Sequence, residues 1–263
     1  MQNQIIEITQ FANHLADLAR AATLPFFRGE HGVENKGEIE YDPVTLADRA
    51  CENAMRDAIQ KHRPDDAIIG EEYGDKAGKS GWLWILDPID GTRAFVAGTS
   101  TWGVLIAAYY NGEPIIGIMD QPFTGERWIG NPNQAIWQRN GEERKLITKN
   151  DALIENSVIA TTDPFLFHGN ERIAFDEIRK KAPVTRYGLD CTAYGLLALG
   201  GIGLVVENGL KIVDLAALIP IVENSGGVFT DWKGNRNPST GRVIAAANQK
   251  IHQEALKILS KVD

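Results

Sequence analysis

The 263-residue chain has only two cysteines, Cys51 and Cys191, too few and too isolated for a disulfide framework or a metal-thiolate site. Its five histidines, His14, His31, His62, His168 and His252, include no pair four apart, which argues against a histidine-built zinc site. No apolar run approaches the roughly 18–20 residues of a membrane span. The opening segment lacks a basic start and carries Glu7 and Asp17 among its apolar residues, so it reads as an amphipathic helix and not as a signal peptide. Basic residues are outnumbered: 27 Lys and Arg against 35 Asp and Glu leave a net charge of −8. Such a chain is a poor partner for nucleic acid or anionic lipid. There is no repeat, no low-complexity stretch and no flexible linker. The expectation is a reduced, cytoplasmic protein.

What is present is ordinary globular material, 43% hydrophobic and 24% charged. Residues 5–22 put Ile5, Ile8, Ala12, Leu15, Leu18, Ala19 and Ala22 on one helical face. A second helix is predicted from Thr45 to Lys61, stopped by Pro64. Short apolar runs follow at Ala67–Gly70, Trp82–Leu86, Trp102–Tyr110, Pro114–Met119 and Gln134–Gln138. Asn111-Gly112 and Asn140-Gly141 are hairpin turn signals. The first half therefore reads as two helices on a mostly antiparallel sheet.

Beyond about Asn150 strand-like and helical stretches alternate. Strands are expected at Ser157–Thr161, Pro183–Tyr187, Ile202–Glu207 and Gly227–Asp231. Helices are expected at His168–Lys181, Cys191–Leu199, Leu215–Asn224 and Gln249–Leu259, with a kink or late start at Pro220. The alternation implies an α/β layer. A boundary near 145 divides residues 1–145, bearing the acidic motif below, from residues 146–263.

Two glycine motifs are decoys. Gly74 to Ser80 has three residues between its glycines where a phosphate loop needs four. Gly201-Ile202-Gly203 lacks the third glycine of a dinucleotide fingerprint and runs on as a strand. Cys191 reads as a structural thiol before a nucleophile. EF-hand spacing is absent, so passive calcium binding is disfavoured.

The informative segment is Trp82-Leu-Trp-Ile-Leu-Asp87-Pro88-Ile89-Asp90-Gly91-Thr92. An apolar strand runs into two aspartates three apart, and Pro88, lacking an N–H, is expected to end the strand pairing. Gly91 permits close backbone approach. Thr92 can start a helix whose N–H groups form an anion site. Carboxylates facing an anion site make sense with cations between them. Glu71-Glu72 follows another apolar strand, and Asp214 stands at a helix start. Each alone is a surface charge or a cap. Brought together, Glu71, Asp87, Asp90 and Asp214 repel strongly, and about two divalent cations neutralise them. All-oxygen ligation favours Mg²⁺.

These motifs, with Asp42-Pro43-Val44-Thr45-Leu46-Ala47-Asp48, Gly70-Glu71-Glu72 and Glu223-Asn224-Ser225-Gly226-Gly227, resemble the inositol monophosphatase superfamily of Mg²⁺-dependent phosphatases over nearly the whole chain. The resemblance implies a layered α-β-α-β-α sandwich (of mixed α+β and α/β character), usually a homodimer, acting on a small phosphorylated metabolite. It implies that Glu71, Asp87 and the Ile89 carbonyl bind one Mg²⁺, that Asp87, Asp90 and Asp214 bind a second, and that Glu71 helps hold a weaker third. The Gly91 and Thr92 N–H groups receive phosphate. Asp48 hydrogen-bonds the Thr92 hydroxyl, and the pair orients the attacking water, so that Glu71, Thr92 and Asp48 are the expected catalytic residues.

Within the superfamily the second half looks most like the histidinol-phosphate phosphatases, through Arg186 to Tyr194, Val206 to Lys211, Ala217 to Glu223 and Thr230 to Gly234. The resemblance makes Gly188, Leu189, Asp190, Glu207 and Asp214 the substrate side. Two positions depart from relatives: Leu189 where many have glycine, and Val213 where many have tryptophan. A neutral polyol asks for hydroxyl hydrogen bonds, whereas histidinol phosphate carries an ammonium and an imidazole that Asp190 and Glu207 could pair with. The plain alternative makes Asp190 a cap for the helix at Cys191. Inositol 1-phosphate, broader sugar or nucleotide monophosphates, and a transcription or RNA-processing role known among relatives remain competing readings. The polar, Gly-containing stretch Asn35–Glu40, with Lys36, is expected to act as a metal-dependent lid.

Overall fold

The computed structural model describes residues 2–29, 32–35, 43–236 and 241–262. Two helices, α1 (Gln2–Thr23) and α2 (Leu46–His62), flank a short antiparallel pair, β1 (Glu34–Asn35) and β2 (Pro43–Val44). Apart from the backbone of Asn35, the stretch read as a lid, including Lys36, lies outside the described residues, as does Asp42. Next come β3 (Ala67–Gly70), β4 (Trp82–Asp90) and the short helix α3 (Thr92–Ala97). The strands β5 (Gly103–Tyr110), β6 (Glu113–Gln121), β7 (Glu126–Asn131), β8 (Gln134–Arg139) and β9 (Glu142–Lys145) complete a seven-stranded sheet in chain order. Its first pair is parallel and the rest antiparallel. Asn111-Gly112 and Asn140-Gly141 take positive φ at both residues, the geometry of two-residue hairpin turns.

The remaining elements are β10 (Val158–Ala160), α4 (Gly169–Lys181), β11 (Val184–Arg186), α5 (Thr192–Ala198), β12 (Leu204–Glu207), α6 (Ile212–Leu215), α7 (Leu218–Asn224), β13 (Val228–Thr230), β14 (Val243–Ala246) and α8 (Gln249–Leu259). Their five strands form a second sheet, ordered β11-β10-β12-β14-β13.

Strand alternation distributes the core into layers. Trp84 and Leu86 of β4 face Ile8, Leu15 and Met55 of α1 and α2, while Ile85 faces the other side, toward Leu197 of α5 and Ile221 of α7. Val205 and Ala245 of the second sheet close on those same helices, and Leu204, Val206 and Ile244 turn outward to Phe175 of α4 and Ile251 of α8. The order is helices, sheet, helices, sheet, helices, as the resemblance implied. A network around buried Asp120 ties α1 down: Asp120 of β6 accepts from Arg20 and Arg127, and Arg127 also reaches Asp17 on the surface.

Three expectations need correction. The helix expected over Leu215–Asn224 is two helices, and Pro220 sits in the first turn of α7, where its missing N–H has no intrahelical partner to lose. Strands β1, β2, β7, β9 and β14 were not foreseen. Pairing does not stop at Asp87, since β4 continues to Asp90 through an irregularity.

The middle layer approaches the first sheet closely. A Cβ on Gly130 would lie 2.4 Å from the Pro220 and Ile221 backbone, and one on Gly117 would lie 1.9 Å from the Ala217 carbonyl oxygen. Neither contact can be relieved by turning a side chain. Gly130→Ala is therefore expected to lower stability by about 3 kcal/mol, measured by urea unfolding; an unchanged midpoint would show that α7 moves aside freely.

Candidate active site

Successive residues of a strand face opposite sides, so Asp87 and Asp90, three apart, would ordinarily diverge. The pairing with β5 shows why they do not. Asp87 opposes Leu105 and Asp90 opposes Gly103, three steps on one strand against two on the other. The extra residue is a bulge, which returns Asp90 to the face that Asp87 occupies. Pro88 within the bulge has no N–H to leave unpaired. Asp87 is buried and accepts the Ile89 N–H at 3.0 Å. Gly91 follows with φ of 81°, caps α3, and passes so close to Asp190 that a Cβ would stand 3.1 Å from its side chain.

Asp214 arrives from the middle layer, in the first turn of α6, accepting the Lys211 N–H at 2.6 Å. One carboxylate oxygen from each of Asp87, Asp90 and Asp214 lies within 4.8 Å of the others. Glu71 is outside this tightest group, with an oxygen 3.7 Å from the Lys211 ammonium, yet its charge is felt by both Asp87 and Asp90. Burial raises the Asp87 carboxyl well above the usual range, and Glu71, Asp90 and Asp214 push it further. Asp90 is raised to about 7 by burial and by Asp190, against the Cys191 N–H that donates to it at 2.6 Å. One buried and two half-buried acids that bring their oxygens together are a donor set for a hard, oxygen-seeking divalent cation.

Asp48 and Thr92 do not pair as expected. Asp48 accepts from the Thr45 N–H and hydroxyl at 2.8 and 2.6 Å in a capping box, and Thr92 gives its hydroxyl proton to the Ile89 carbonyl at 3.0 Å. Each has a nearer partner in its own chain segment. Asp48 is raised to about 6 by burial, which the Thr45 bonds oppose.

Asp90, Asp190, Glu207 and Asp214 line one cleft with Thr162 and Tyr194. Asp190 adopts φ of 47°, a left-handed conformation that aspartate and asparagine tolerate better than most side chains. The N-cap of α5 is Cys191 and no side chain caps the helix, so capping does not account for Asp190. Burial lifts Asp190 to about 6, and Arg93 acts against it. Glu207 is raised to about 8 by burial, although Thr162 donates N–H and hydroxyl and Thr161 its hydroxyl. Gly188 and Leu189 lead into this turn; the Gly188 N–H bonds the Thr162 carbonyl at 2.9 Å, and Leu189 packs against the middle layer. The Cys191 thiol is buried and pushed well up by burial and by Asp90, no environment for a nucleophile. The wider hollow beside Asp17, Arg20 and Arg127 has those charges paired within the network described above.

Residues 5–263 match the model of the inositol monophosphatase family. The chain belongs to the inositol monophosphatase family. Bifunctional phosphatase IMPL2 of Arabidopsis thaliana is 39% identical over 267 residues, covering 96% of this chain and 76% of that protein. A histidinol-phosphatase of Chlorobaculum parvum is 33% identical, covering 92% of each. The structure of an inositol monophosphatase from Zymomonas mobilis superposes with a TM-score of 0.83 at 39% identity, covering 97% of this chain and 98% of that one. As a member of this inositol monophosphatase family the chain is a phosphomonoester hydrolase acting on small phosphorylated substrates. Enzymes of the inositol monophosphatase family are metal dependent, which fits the carboxylate cluster. Among the described residues no helix is long and apolar enough to cross a membrane.

Sequence reasoning passed over Thr162 and Tyr194 in the cleft, Thr161 behind Glu207, and Glu52 and Arg56 beneath Glu71. The last two were detectable: they are a Glu–Arg pair four apart on the apolar face of a helix, beside Cys51 and Met55.

A pH dependence follows from the raised carboxyls. Asp90 titrates near 3.8 when unfolded and about 7 when folded, so the metal-free chain loses stability as pH rises through that window. Cations need the ionised form and displace the protons. Added Mg²⁺ is therefore expected to raise the melting temperature more at about pH 8 than at about pH 5.5; an equal or reversed gain would contradict protonated carboxyls in the metal-free site.

Proposed function

We propose that the chain hydrolyses L-histidinol phosphate to L-histidinol and phosphate, a step of histidine biosynthesis, with Mg²⁺ as its cation. The observation that carries this reading is the cleft wall: Asp190 and Glu207 stand beside Asp90 and Asp214, giving acid where inositol would present only hydroxyls. An ammonium or imidazolium entering there draws the raised carboxyls into their ionised form. The histidinol-phosphatase relative named above supports it.

In this reading residues 1–145 supply most of the cation and phosphate groups and residues 146–263 the substrate side. Asp87, Asp90 and Asp214, with Glu71 and the Ile89 carbonyl, hold two Mg²⁺ ions, and Glu71 contributes to a weaker third. Bound divalent cations supply positive charge to the dianionic phosphate and Lewis acidity for water. The Gly91 and Thr92 N–H groups at the bulge receive phosphate oxygens. Thr92 has committed its proton to Ile89, so its oxygen can accept from the attacking water, which Glu71 holds from the other side. Asp48 fixes the entry to α2 through Thr45. Gly188 and Leu189 shape the wall that places Asp190. The site requires no covalent nucleophile.

A cytoplasmic homodimer belongs to the same proposal, supported by the resemblance and by the exposed Phe165 and Ile173; light scattering tests the dimer. The net charge of −8 supports a small-molecule partner over nucleic acid. Turnover of L-histidinol phosphate and inositol 1-phosphate, side by side with Mg²⁺, tests the substrate: the first is expected to be favoured, and faster cleavage of the second overturns the choice in favour of inositol monophosphate.

A further inference from the structure

Glu71 sits in an irregular turn after β3, a poor place from which to aim a carboxylate. The chain just before it is secured, because Gly70 lies in register with Leu86 of β4. The chain just after it rests on a side chain from α2. Glu52, wholly buried, accepts the Glu72 N–H at 2.8 Å on one oxygen and the Tyr73 N–H at 3.2 Å on the other. Arg56, one turn along, donates to Glu52 at 2.7 Å and to the Tyr73 carbonyl at 3.1 Å. Asn53 on the same helix reaches the Tyr73 hydroxyl at 2.8 Å. Gly70 lies directly on this pair, since a Cβ there would stand 2.0 Å from a Glu52 oxygen and 2.7 Å from Arg56.

A buried acid paired with arginine and given two backbone donors is fully satisfied, and it makes a stiff support. We infer that Glu52, braced by Arg56, is a positioning residue that holds the Glu71–Tyr73 turn so that the Glu71 carboxylate is aimed at the Asp87, Asp90 and Asp214 cluster before any cation arrives. This rests on the reading of Glu71 as a cation ligand. Helix α2 thereby sets the aim of a residue it does not contain. Glu52→Gln keeps the size but turns an N–H₂ toward one of the two backbone donors, leaving that donor without an acceptor.

The test is calorimetric titration of Mg²⁺ into the metal-stripped protein, for wild type, Glu52→Gln, Glu71→Gln and the double variant, with melting temperatures recorded alongside. Removing a support behind a metal ligand typically costs about 10–100-fold in affinity. Each single variant is expected to bind Mg²⁺ at least about tenfold more weakly, and the double variant no more weakly than Glu71→Gln alone. A purely structural Glu52 would lower the melting temperature and leave the affinity of the folded protein alone, which overturns the inference. Equal losses that multiply in the double variant also overturn it. If Glu71→Gln binds as tightly as wild type, the ligand role of Glu71 falls and the inference with it. Arg56→Lys keeps the charge but gives up the reach to the Tyr73 carbonyl. It serves where Glu52→Gln folds poorly, and is expected to show a smaller loss that is absent in the Glu71→Gln background.

Discussion

Asp87→Asn is expected to lower kcat/KM at saturating Mg²⁺ by about a thousandfold or more, while raising the melting temperature of the metal-free protein at about pH 8. The two effects have one cause. Asparagine keeps the oxygen that accepts the Ile89 N–H, so the bulge survives. What goes is one of three carboxyls whose oxygens lie within 4.8 Å of one another, where each pair, once ionised, repels by at least about 3 kcal/mol at an effective dielectric constant near 20. Without a cation that repulsion is a burden, and removing it stabilises. With a cation it is the source of binding, and removing it disables the site. Activity measured beside thermal melts in chelator checks both signs. A variant that loses activity and stability together would make Asp87 a structural residue of the bulge.

The second large effect is expected from Asp190→Asn: a fall of about 30-fold or more in kcat/KM for L-histidinol phosphate, with inositol 1-phosphate cleavage changed little. Losing one partner of a buried, hydrogen-bonded charge pair costs about 2–5 kcal/mol, hence the factor. Asparagine is the suitable probe because it tolerates the left-handed backbone that Asp190 adopts, φ 47°, so that charge changes without the turn. Steady-state kinetics on the two substrates provides the check. Equal losses on both would place Asp190 in the support of Gly91 and Asp90, and not in substrate choice.

The legible parts of this molecule are those where local chemistry and tertiary context agree. Helix α8 and strand β3 run over the residues their periodicity marks, since nothing in the core contests them. The unforeseen strands are the contested ones. In β7 the pattern is broken by Arg127, which is buried because Asp120 and Asp17 meet it from β6 and α1; a charge paired across some hundred residues looks like a surface charge in sequence. Strand β9, Glu-Glu-Arg-Lys and exposed throughout, is an edge strand whose polarity guards it from further pairing. In β4 the proline that promised an end instead marks a bulge. The acidic residues were visible as types in suggestive places and the resemblance implied their convergence; what was not visible is the means, the bulge that turns Asp90 and the helix α6 that delivers Asp214. The Asp48–Thr92 bond that the resemblance implies is not the one seen here, because both groups find partners within three residues.

Asp87, Asp90 and Asp214 are placed to share one cation. Crystals grown with Mn²⁺ in place of Mg²⁺ and a phosphate test it most directly, through anomalous difference density at the manganese edge. A strong peak shared by these three carboxylates is expected. Strong manganese density elsewhere, with that space holding only water, would contradict it.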